Sequence, residues 1–256
     1  MRLTNRTVLI TGAASGIGLA LARSLADRGN TVIGTGRNRA KLDAVSKADP
    51  RLHVIQSDVT KPDDIRRLSD ETLQRFPGLD VLINNAGIMR NLKLLQPHDL
   101  EDVTREVEIL LTGPIRMIQQ FLPHLLRREV AAIVNVSSGV AFVPMPASPV
   151  YSAAKAALHA YTQSLRAQVS GTSINVIELA PPPVETALFR GEFAQEMRGE
   201  RAMAPETLVR HTITAIEAGK TEITPGVANV LKAARRIAPG FMFNQMVKLG
   251  QPKRTA

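Results

Sequence analysis

Short runs of β-branched and aliphatic residues alternate with longer amphipathic stretches along most of the 256-residue chain. The short runs are typical of buried strands, and the amphipathic stretches are typical of helices that cross from one strand to the next. Right-handed crossovers of this kind place helices on both faces of a parallel sheet. The alternation therefore predicts an α/β fold with one doubly wound parallel sheet. The predicted strands are Thr7–Thr11, Thr31–Thr35, His53–Gln56, Val81–Asn84, Ala132–Val136, Ile174–Glu178 and Glu222–Thr224.

The helices predicted between these strands leave no point at which the chain divides. We therefore expect a single domain of the Rossmann type over residues 1–256. The connection 184–204 is the longest without a regular pattern, and its apolar side chains, including Phe193 and Met197, predict a lid over a ligand. A locally packed surface loop is the alternative. The predicted helices are Ile17–Asp27, Asn38–Lys47, Asp63–Phe76, Asp99–Leu126, Tyr151–Val169 and Pro205–Ala218.

Composition limits both the chemistry and the location of the protein. The chain contains no cysteine, which excludes disulfides, thiolate metal sites and a cysteine nucleophile. The first residues run directly into the first predicted strand, and no apolar run approaches the roughly 20 residues of a membrane span. The histidines are scattered without a metal-ligand spacing, so we expect no metal site. These features predict a soluble, cytoplasmic protein.

The formal net charge of +9 is concentrated towards the C-terminus. No Asp or Glu follows Glu222, whereas basic residues continue as far as Arg254, with Phe241 and Phe243 among them. Two interpretations of this basic tail, residues 226–256, stay open. It contacts an anionic membrane surface or an acidic partner, or it is a solvated terminus packed by its own aromatic side chains. The chain has no motif that reads nucleic acid, so we expect no such partner.

A glycine-rich turn follows the first predicted strand and opens the first predicted helix. It reads TGAASGIG, with Gly12, Gly16 and Gly18 in the turn. Such glycines let backbone N–H groups approach a pyrophosphate, and the helix N-terminus adds partial positive charge. Glycines also occur in tight turns for packing alone. The position between a strand and a helix nevertheless predicts a dinucleotide site, which includes Ser15 and Ile17.

The end of the second predicted strand indicates which dinucleotide is bound. A carboxylate there binds the ribose 2′-hydroxyl of NAD, whereas an arginine accommodates the 2′-phosphate of NADP. The chain has Arg37 and no acid at this position, and a guanidinium donates paired hydrogen bonds to a phosphate. NADP(H) is therefore favoured over NAD(H), with a solvated helix start as the alternative role of Arg37. Neighbouring strand ends add further expected contacts, namely Asp58 and Val59 beside the adenine, and Asn85, Ala86 and Gly87 where the backbone passes close to the cofactor.

Three side chains predict the reaction class. Tyr151 is followed four residues later by Lys155 and preceded thirteen residues earlier by Ser138. Lys155 lies one helical turn beyond Tyr151 and therefore shares its face. A cation at ~4 Å in an effective dielectric of ~20 contributes about 4 kcal/mol, so we expect Lys155 to lower the phenol pKa from ~10 to near neutrality. Tyr151 is then a general acid for a carbonyl that accepts hydride.

Together these motifs resemble the short-chain dehydrogenase/reductase family, and the resemblance covers nearly the whole chain. It rests on the glycine turn, the Asn84–Gly87 segment, Ser138, Tyr151, Lys155 and the Pro181–Thr186 segment. Within the family, residues 85–91, 113–126 and 180–186 are similar to the corresponding segments of the DltE-like bacterial oxidoreductases.

The resemblance implies roles for individual residues. Ser138 is expected to hydrogen-bond the substrate oxygen, and Lys155 to bind the nicotinamide ribose. Thr186 is expected to hydrogen-bond the nicotinamide carboxamide, with Pro181 and Val184 also at the cofactor. The family's dimers and tetramers imply a homodimer or homotetramer, for which the long predicted helices supply an interface.

Two positions depart from the family pattern. Leu110 stands where the family commonly has an Asn that holds a water in a proton relay, and Pro182 stands where Gly is usual. Proline fixes φ and removes an N–H beside the nicotinamide. The sequence therefore predicts an NADP(H)-dependent oxidoreductase that acts on a ketone, aldehyde or secondary alcohol, with reduced turnover. The alternative is a catalytically weak NADPH-binding sensor or scaffold protein of the same fold.

Overall fold

The computed structural model describes residues 1–191, 193 and 201–249, and these form a seven-stranded parallel sheet with helices around it. The strands are β1 Thr7–Thr11, β2 Thr31–Gly36, β3 Leu52–Gln56, β4 Leu79–Asn84, β5 Ala131–Val136, β6 Ile174–Leu179 and β7 Glu222–Ile223. Their order is β3-β2-β1-β4-β5-β6-β7, and each neighbouring pair is parallel. The chain builds outward from β1 in one direction and then in the other, so the predicted doubly wound sheet is confirmed.

Helices cover both faces of this sheet. They are α1 Gly16–Ala26, α2 Arg39–Ala48, α3 Pro62–Arg75, α4 Leu100–Val103, α5 Arg105–Val107, α6 Gly113–Leu125, α7 Pro149–Gln168, α8 Ala187–Arg190, α9 Pro205–Glu217, α10 Val227–Ile237 and α11 Pro239–Leu249. A π-helical turn, Glu108–Thr112, precedes α6, and a 3-10 turn, Gly139–Ala141, follows β5. Helices α1 and α9 contribute to one apolar cluster, and α3, α6 and α7 contribute to the other.

The side chains of β1 show why the sheet needs both layers. Val8 and Ile10 belong to the cluster with α1 and α9, whereas Leu9 belongs to the cluster with α3, α6 and α7. All three side chains are fully buried. Successive residues of a strand face opposite sides of its sheet, so a strand covered on both faces reads as a continuous apolar run. The prediction that the continuous apolar runs of the sequence form central strands is therefore confirmed for β1.

The helix predicted over Asp99–Leu126 is wrong as one continuous element, because the chain there forms α4, α5, the π turn and α6. The chain leaves the helical conformation at Thr104, and Pro114 explains the π turn that follows α5. Pro114 has no N–H for the carbonyl of Leu110, and its ring crowds that carbonyl. The N–H of Gly113 bonds instead to the carbonyl of Glu108, which closes the wider π turn. The other predicted elements overlap the observed ones closely.

A buried polar chain joins α7 to the centre of the sheet. Asn84 Nδ2 in β4 donates to Asn135 Oδ1 in β5 at 2.9 Å, and Asn135 Nδ2 donates to Thr162 Oγ1 in α7 at 2.9 Å. Thr162 Oγ1 donates in turn to the carbonyl of Leu158 at 2.7 Å. Buried polar groups require partners, so this chain of bonds fixes how α7 sits on the sheet.

We expect Asn135→Ala to lower the free energy of unfolding by about 1–3 kcal/mol, because it leaves the buried amide of Asn84 without its acceptor. Urea unfolding followed by circular dichroism measures this loss. Asn175→Ala is the matched control, since the exposed Asn175 side chain in β6 makes a longer bond of 3.2 Å to the Ala131 carbonyl. Equal losses in the two variants would contradict the role assigned to Asn135.

Candidate active site

The glycine turn joins the end of β1 to the start of α1. Gly12 and Gly16 have φ angles of 68° and 54°, which lie in the left-handed region that favours glycine. A Cβ on Gly18 would overlap the carbonyl of Gly12, so a larger residue has no room there. The Ser15 side chain makes no capping bond to α1. The first N–H groups of α1 therefore stay available to an anionic ligand.

Two cavities meet at this turn, and we refer to them together as the cofactor groove. The first cavity has a volume of about 230 Å³ and follows the ends of β1, β2 and β3. The predicted cofactor contacts that line it are Gly12, Ser15, Arg37, Asp58, Val59, Ala86 and Gly87. The second cavity has a volume of about 180 Å³ and continues towards α7. The predicted cofactor contacts that line it are Gly12, Ser15, Gly16, Ile17, Asn85, Gly87, Tyr151, Lys155, Pro181 and Thr186. Of the remaining predicted contacts, Gly18 supports the turn from within α1, and Val184 lines a different cavity.

Asn85 holds the glycine turn in place. Its Nδ2 donates to the carbonyls of Thr11 and Gly12 at 2.9 and 3.3 Å. The backbone N–H groups of Asn85 and Ala86 donate to Thr11 Oγ1 at 2.9 and 3.0 Å. These bonds tie the end of β4 to the end of β1. Asn85 therefore has a structural task for its side chain, in addition to the predicted passage of its backbone close to the cofactor.

Two cations line the groove at the end of β2. The exposed Arg37 side chain makes no hydrogen bond or ion pair with the residues that the structure describes, whereas the nearby Arg39 pairs with Asp43 at 2.8 Å. Lys41, in the first turn of α2, lines the same cavity and was not predicted. Lys41 follows Arg37 by only four residues, and this closeness in the sequence could have predicted its position. This end of the groove is therefore suited to a phosphate.

The three predicted catalytic side chains come together at the carboxyl end of β5. Tyr151 and Lys155 are buried on α7, with 8% and 4% of their surface exposed. Lys155 Nζ donates to the Val136 carbonyl at 2.6 Å and lies 5.7 Å from the centre of the Tyr151 ring. Ser138 begins the 3-10 turn after β5, where its Oγ accepts from the N–H of Val140 at 3.3 Å. Ser138 and Tyr151 both face a third cavity.

Burial controls the protonation of this pair. It raises the pKa of Tyr151 to about 12, an effect that the Ser138 side chain opposes and the Glu106 carboxylate reinforces. Burial lowers the pKa of Lys155 to about 7, and the carboxylate of Glu178 opposes that fall. The prediction that Lys155 brings the phenol pKa to near neutrality is therefore wrong for this structure. Loss of water around the buried phenol is the largest cause of this rise.

A buried carboxylate beside Lys155 was not predicted. Glu178 in β6 is fully buried, its Oε2 lies 2.7 Å from His159 Nδ1, and its Oε1 accepts a short hydrogen bond from Ser137 Oγ. The His159 ring also contacts the exposed Gln163 side chain, with 3.0 Å between the two Nε2 atoms. Two features of the sequence could have predicted this network. Glu178 is an acid inside the apolar strand INVIEL, and His159 lies one helical turn after Lys155.

The third cavity, of about 500 Å³, is walled mainly by apolar side chains, and we call it the apolar cavity. Its apolar walls include Met89, Met145, Val184, Leu188, Phe189, Val227, Leu231 and Met246. Tyr151 lines both this cavity and the cofactor groove. The phenol therefore stands where the two spaces meet.

The predicted lid, residues 184–204, contributes part of this wall. Leu188 and Phe189 of α8 and Arg201 line the apolar cavity, and Phe193 is fully buried. Residues 192 and 194–200, with Met197 among them, lie outside the described residues.

The predicted basic tail begins with α10 and α11, and its residues 250–256 lie outside the described part of the chain. Leu231 and Met246 are buried at the apolar cavity, but Phe241 and Phe243 are 62% and 42% exposed. The interpretation in which the tail is packed by its own aromatic side chains is therefore wrong for these two residues. No described helix is both long enough and apolar enough to cross a membrane.

Comparisons with known proteins agree with this geometry. A sequence profile of the short chain dehydrogenase family matches residues 6–197. The chain is 38% identical over 247 residues to the uncharacterised oxidoreductase DltE of Bacillus subtilis, which covers 96% of this chain and 98% of that protein. It is 33% identical over 188 residues to an uncharacterised oxidoreductase of Staphylococcus aureus, which covers 73% of this chain and 81% of that protein.

Solved structures give the same result. A short chain dehydrogenase from Burkholderia cenocepacia in complex with NADP has a TM-score of 0.83 and 27% identity, and the match covers 96% of this chain and 99% of that one. A 3-ketoacyl-(acyl-carrier-protein) reductase from Brucella melitensis complexed with NADH has a TM-score of 0.75 and 26% identity, over 83% of this chain and 91% of that one. The chain therefore belongs to the short-chain dehydrogenase/reductase family of oxidoreductases.

Proposed function

We propose that the protein is an NADP(H)-dependent oxidoreductase that transfers hydride between the nicotinamide and a ketone, an aldehyde or a secondary alcohol. The observation that carries this proposal is the position of Tyr151, which lines both the cofactor groove and the apolar cavity. A carbonyl group in the apolar cavity whose oxygen contacts the Tyr151 hydroxyl lies next to the cofactor groove. Both halves of a carbonyl reduction, hydride to carbon and a proton to oxygen, are then served at one point.

The residues of the groove fit a dinucleotide that carries a 2′-phosphate. The glycine turn offers backbone N–H groups to the pyrophosphate, and Arg37 and Lys41 offer two positive charges at the end of β2. Solved relatives hold NADP in one case and NADH in another, so the choice of NADP rests on Arg37 and Lys41. When bound, the nicotinamide supplies or accepts the hydride.

The side chains of this protein have separate tasks in the proposed reaction. Tyr151 holds a proton at its hydroxyl at neutral pH, because burial raises its pKa to about 12, and it donates that proton to the carbonyl oxygen. Ser138, beside it in the apolar cavity, hydrogen-bonds the same oxygen and orients it. Lys155 lines the groove, where its ammonium would hold the sugar of a bound nucleotide and would supply the proton that replaces the one lost by Tyr151. The protonated phenol is the form that carbonyl reduction requires.

A catalytically weak NADPH-binding sensor or scaffold is the second candidate, and Leu110 is the observation that favours it. Leu110 lines the cofactor groove and is 1% exposed, so it holds no water for a proton relay. In that case the protein binds NADPH but does not consume it with any carbonyl compound. Turnover measured with a panel of ketones and aldehydes separates the two candidates.

We expect Tyr151→Phe to lower kcat/KM for NADPH oxidation by a carbonyl substrate by about 10²–10⁴-fold, because the general acid is lost. NADPH affinity is expected to stay within about threefold, since the ring that lines the groove remains. Absorbance of NADPH measures the rate, and calorimetry measures the affinity.

Tyr161→Phe is the matched control for this substitution. Tyr161 lies on the same helix, is partly buried and does not line the groove or the apolar cavity. Its activity is expected to equal that of the parent protein. Carbonyl reduction that survives Tyr151→Phe unchanged would overturn the assignment of the acid.

We expect Arg37→Gln to raise KM for NADPH about 10- to 100-fold and to leave KM for NADH nearly unchanged, because the lost bond is a charge-assisted contact to the 2′-phosphate. Initial rates with each cofactor measure the effect. Arg39→Gln is the control, since this exposed neighbour already pairs with Asp43. Equal losses for NADPH and NADH would show that Arg37 does not read the phosphate.

We expect Glu178→Gln to move the alkaline limb of the pH profile for reduction to lower pH. The carboxylate raises the pKa of Lys155 against burial, so its removal lowers that pKa, and the required ammonium loses its proton sooner as the pH rises. His159→Asn is the control, because it keeps the carboxylate charge. Profiles of kcat/KM in both variants measure the limb, and a limb that stays in place or moves to higher pH in Glu178→Gln would contradict the expectation.

A further inference from the structure

The apolar cavity restricts what kind of carbonyl compound can enter it. Its volume of about 500 Å³ lies in the range of pockets for medium-sized organic ligands. Three methionines, Met89, Met145 and Met246, stand among its walls and can adapt to chains of different shape. The part of the substrate that lies inside is therefore apolar.

Arg201 supplies the one charge in the lining of this cavity, as far as the chain is described. Its exposed side chain makes no hydrogen bond and no ion pair with the described residues. Two acids on neighbouring segments have other partners, since Glu185 pairs with Arg190 at 2.7 Å and Glu222 pairs with Lys232 at 2.5 Å. Among the residues that the structure describes, none supplies a compensating negative charge to the guanidinium at the rim of the cavity.

The backbone next to Arg201 is held against the wall of the cavity. The N–H of Met203 donates to the carbonyl of Pro183 at 2.8 Å, and the N–H of Glu185 donates to the carbonyl of Met203 at 2.9 Å. These bonds form a short parallel bridge between Val184 and Met203. Pro183 and Val184 themselves line the cavity, so the bridge places Arg201 at the rim close to a fixed part of the wall.

We propose that the substrate is an amphiphilic oxo-carboxylic acid, whose apolar chain fills this cavity and whose carboxylate binds Arg201. The proposal rests on the proposed function, because Tyr151 and Ser138, which line the same cavity, must meet a carbonyl there. A single guanidinium matches the single charge and planar fork of a carboxylate. A phosphate monoester, with its greater charge, calls for more cations than the described lining of this cavity provides.

The test compares a medium-chain oxo-carboxylic acid with its methyl ester, which has the same carbonyl and nearly the same chain. We expect the parent protein to reduce the acid with a kcat/KM about 10- to 100-fold above that of the ester. Arg201→Gln is expected to remove this preference by lowering kcat/KM for the acid, with the ester changed less than about twofold. Arg201→Lys keeps the charge but loses the fork, so it is expected to retain part of the preference.

Arg210→Gln is the matched control, because Arg210 is also exposed and lies outside the lining of the apolar cavity. It is expected to keep the preference of the parent protein. An acid preference that persists in Arg201→Gln, or equal kcat/KM values for acid and ester in the parent protein, would overturn the proposal. Tighter binding of the matching ketone phosphate than of the oxo-carboxylate would overturn the choice of carboxylate.

A binding measurement separates this proposal from the proposed function. Calorimetry on the NADP-loaded protein gives the affinity for the acid and for the ester whether or not either is reduced. Preferential binding of the acid, lost in Arg201→Gln, supports the carboxylate site even if no NADPH is consumed. Reduction of both compounds without a difference in affinity refutes the carboxylate site and leaves the oxidoreductase assignment standing.

Discussion

The burial of the Lys155 ammonium between α7 and the sheet is the constraint on which the rest of the site depends. A cation with 4% of its surface exposed has lost most of its water, so the fold must supply other partners. The carbonyl of Val136 accepts one of its hydrogens at 2.6 Å, and Glu178 supplies a nearby negative charge. A Lys155 pKa of about 7 shows that this compensation is only partial. The lysine can therefore gain and lose a proton in the range where proton transfer is useful.

Two polar connections hold α7 in the orientation that this arrangement needs. Thr162 binds Asn135 in β5, and His159 binds Glu178 in β6, so neighbouring turns of one helix are fastened to neighbouring strands. A rotation of α7 would break both bonds inside the protein, where unpaired polar groups are costly. The same orientation points Tyr151 at the junction of the cofactor groove and the apolar cavity. The fold and the candidate site are thus stabilised by the same contacts.

Local patterns in the sequence predict the sheet, the glycine turn and the grouping of Ser138, Tyr151 and Lys155, because each depends on residues close together in the chain. Glu178 and Arg201 were missed because their roles depend on contacts between distant segments, which no local pattern records. The pKa of Tyr151 was predicted wrongly for a related reason. The spacing of a phenol and an ammonium in the sequence does not show the water that both groups lose on folding, and this loss raises the pKa of Tyr151. The interruption before α6 follows from Pro114, which a periodicity of apolar residues does not register.

That interruption also affects the polarity of the site. Pro114 forces the π turn over Glu108–Thr112, and Leu110 within this turn packs close to Gly87 and lines the groove beside Lys155. An apolar side chain there keeps water away from the ammonium and so lowers the local dielectric constant. The lower dielectric constant increases the free energy needed to bury the charge, and it also strengthens the attraction between the ammonium and Glu178. An asparagine at this position would share the solvation of the ammonium. With leucine at this position, the charge of Lys155 depends more heavily on the buried carboxylate of Glu178. Leu110 and the network around Glu178 therefore act together on the charge of Lys155.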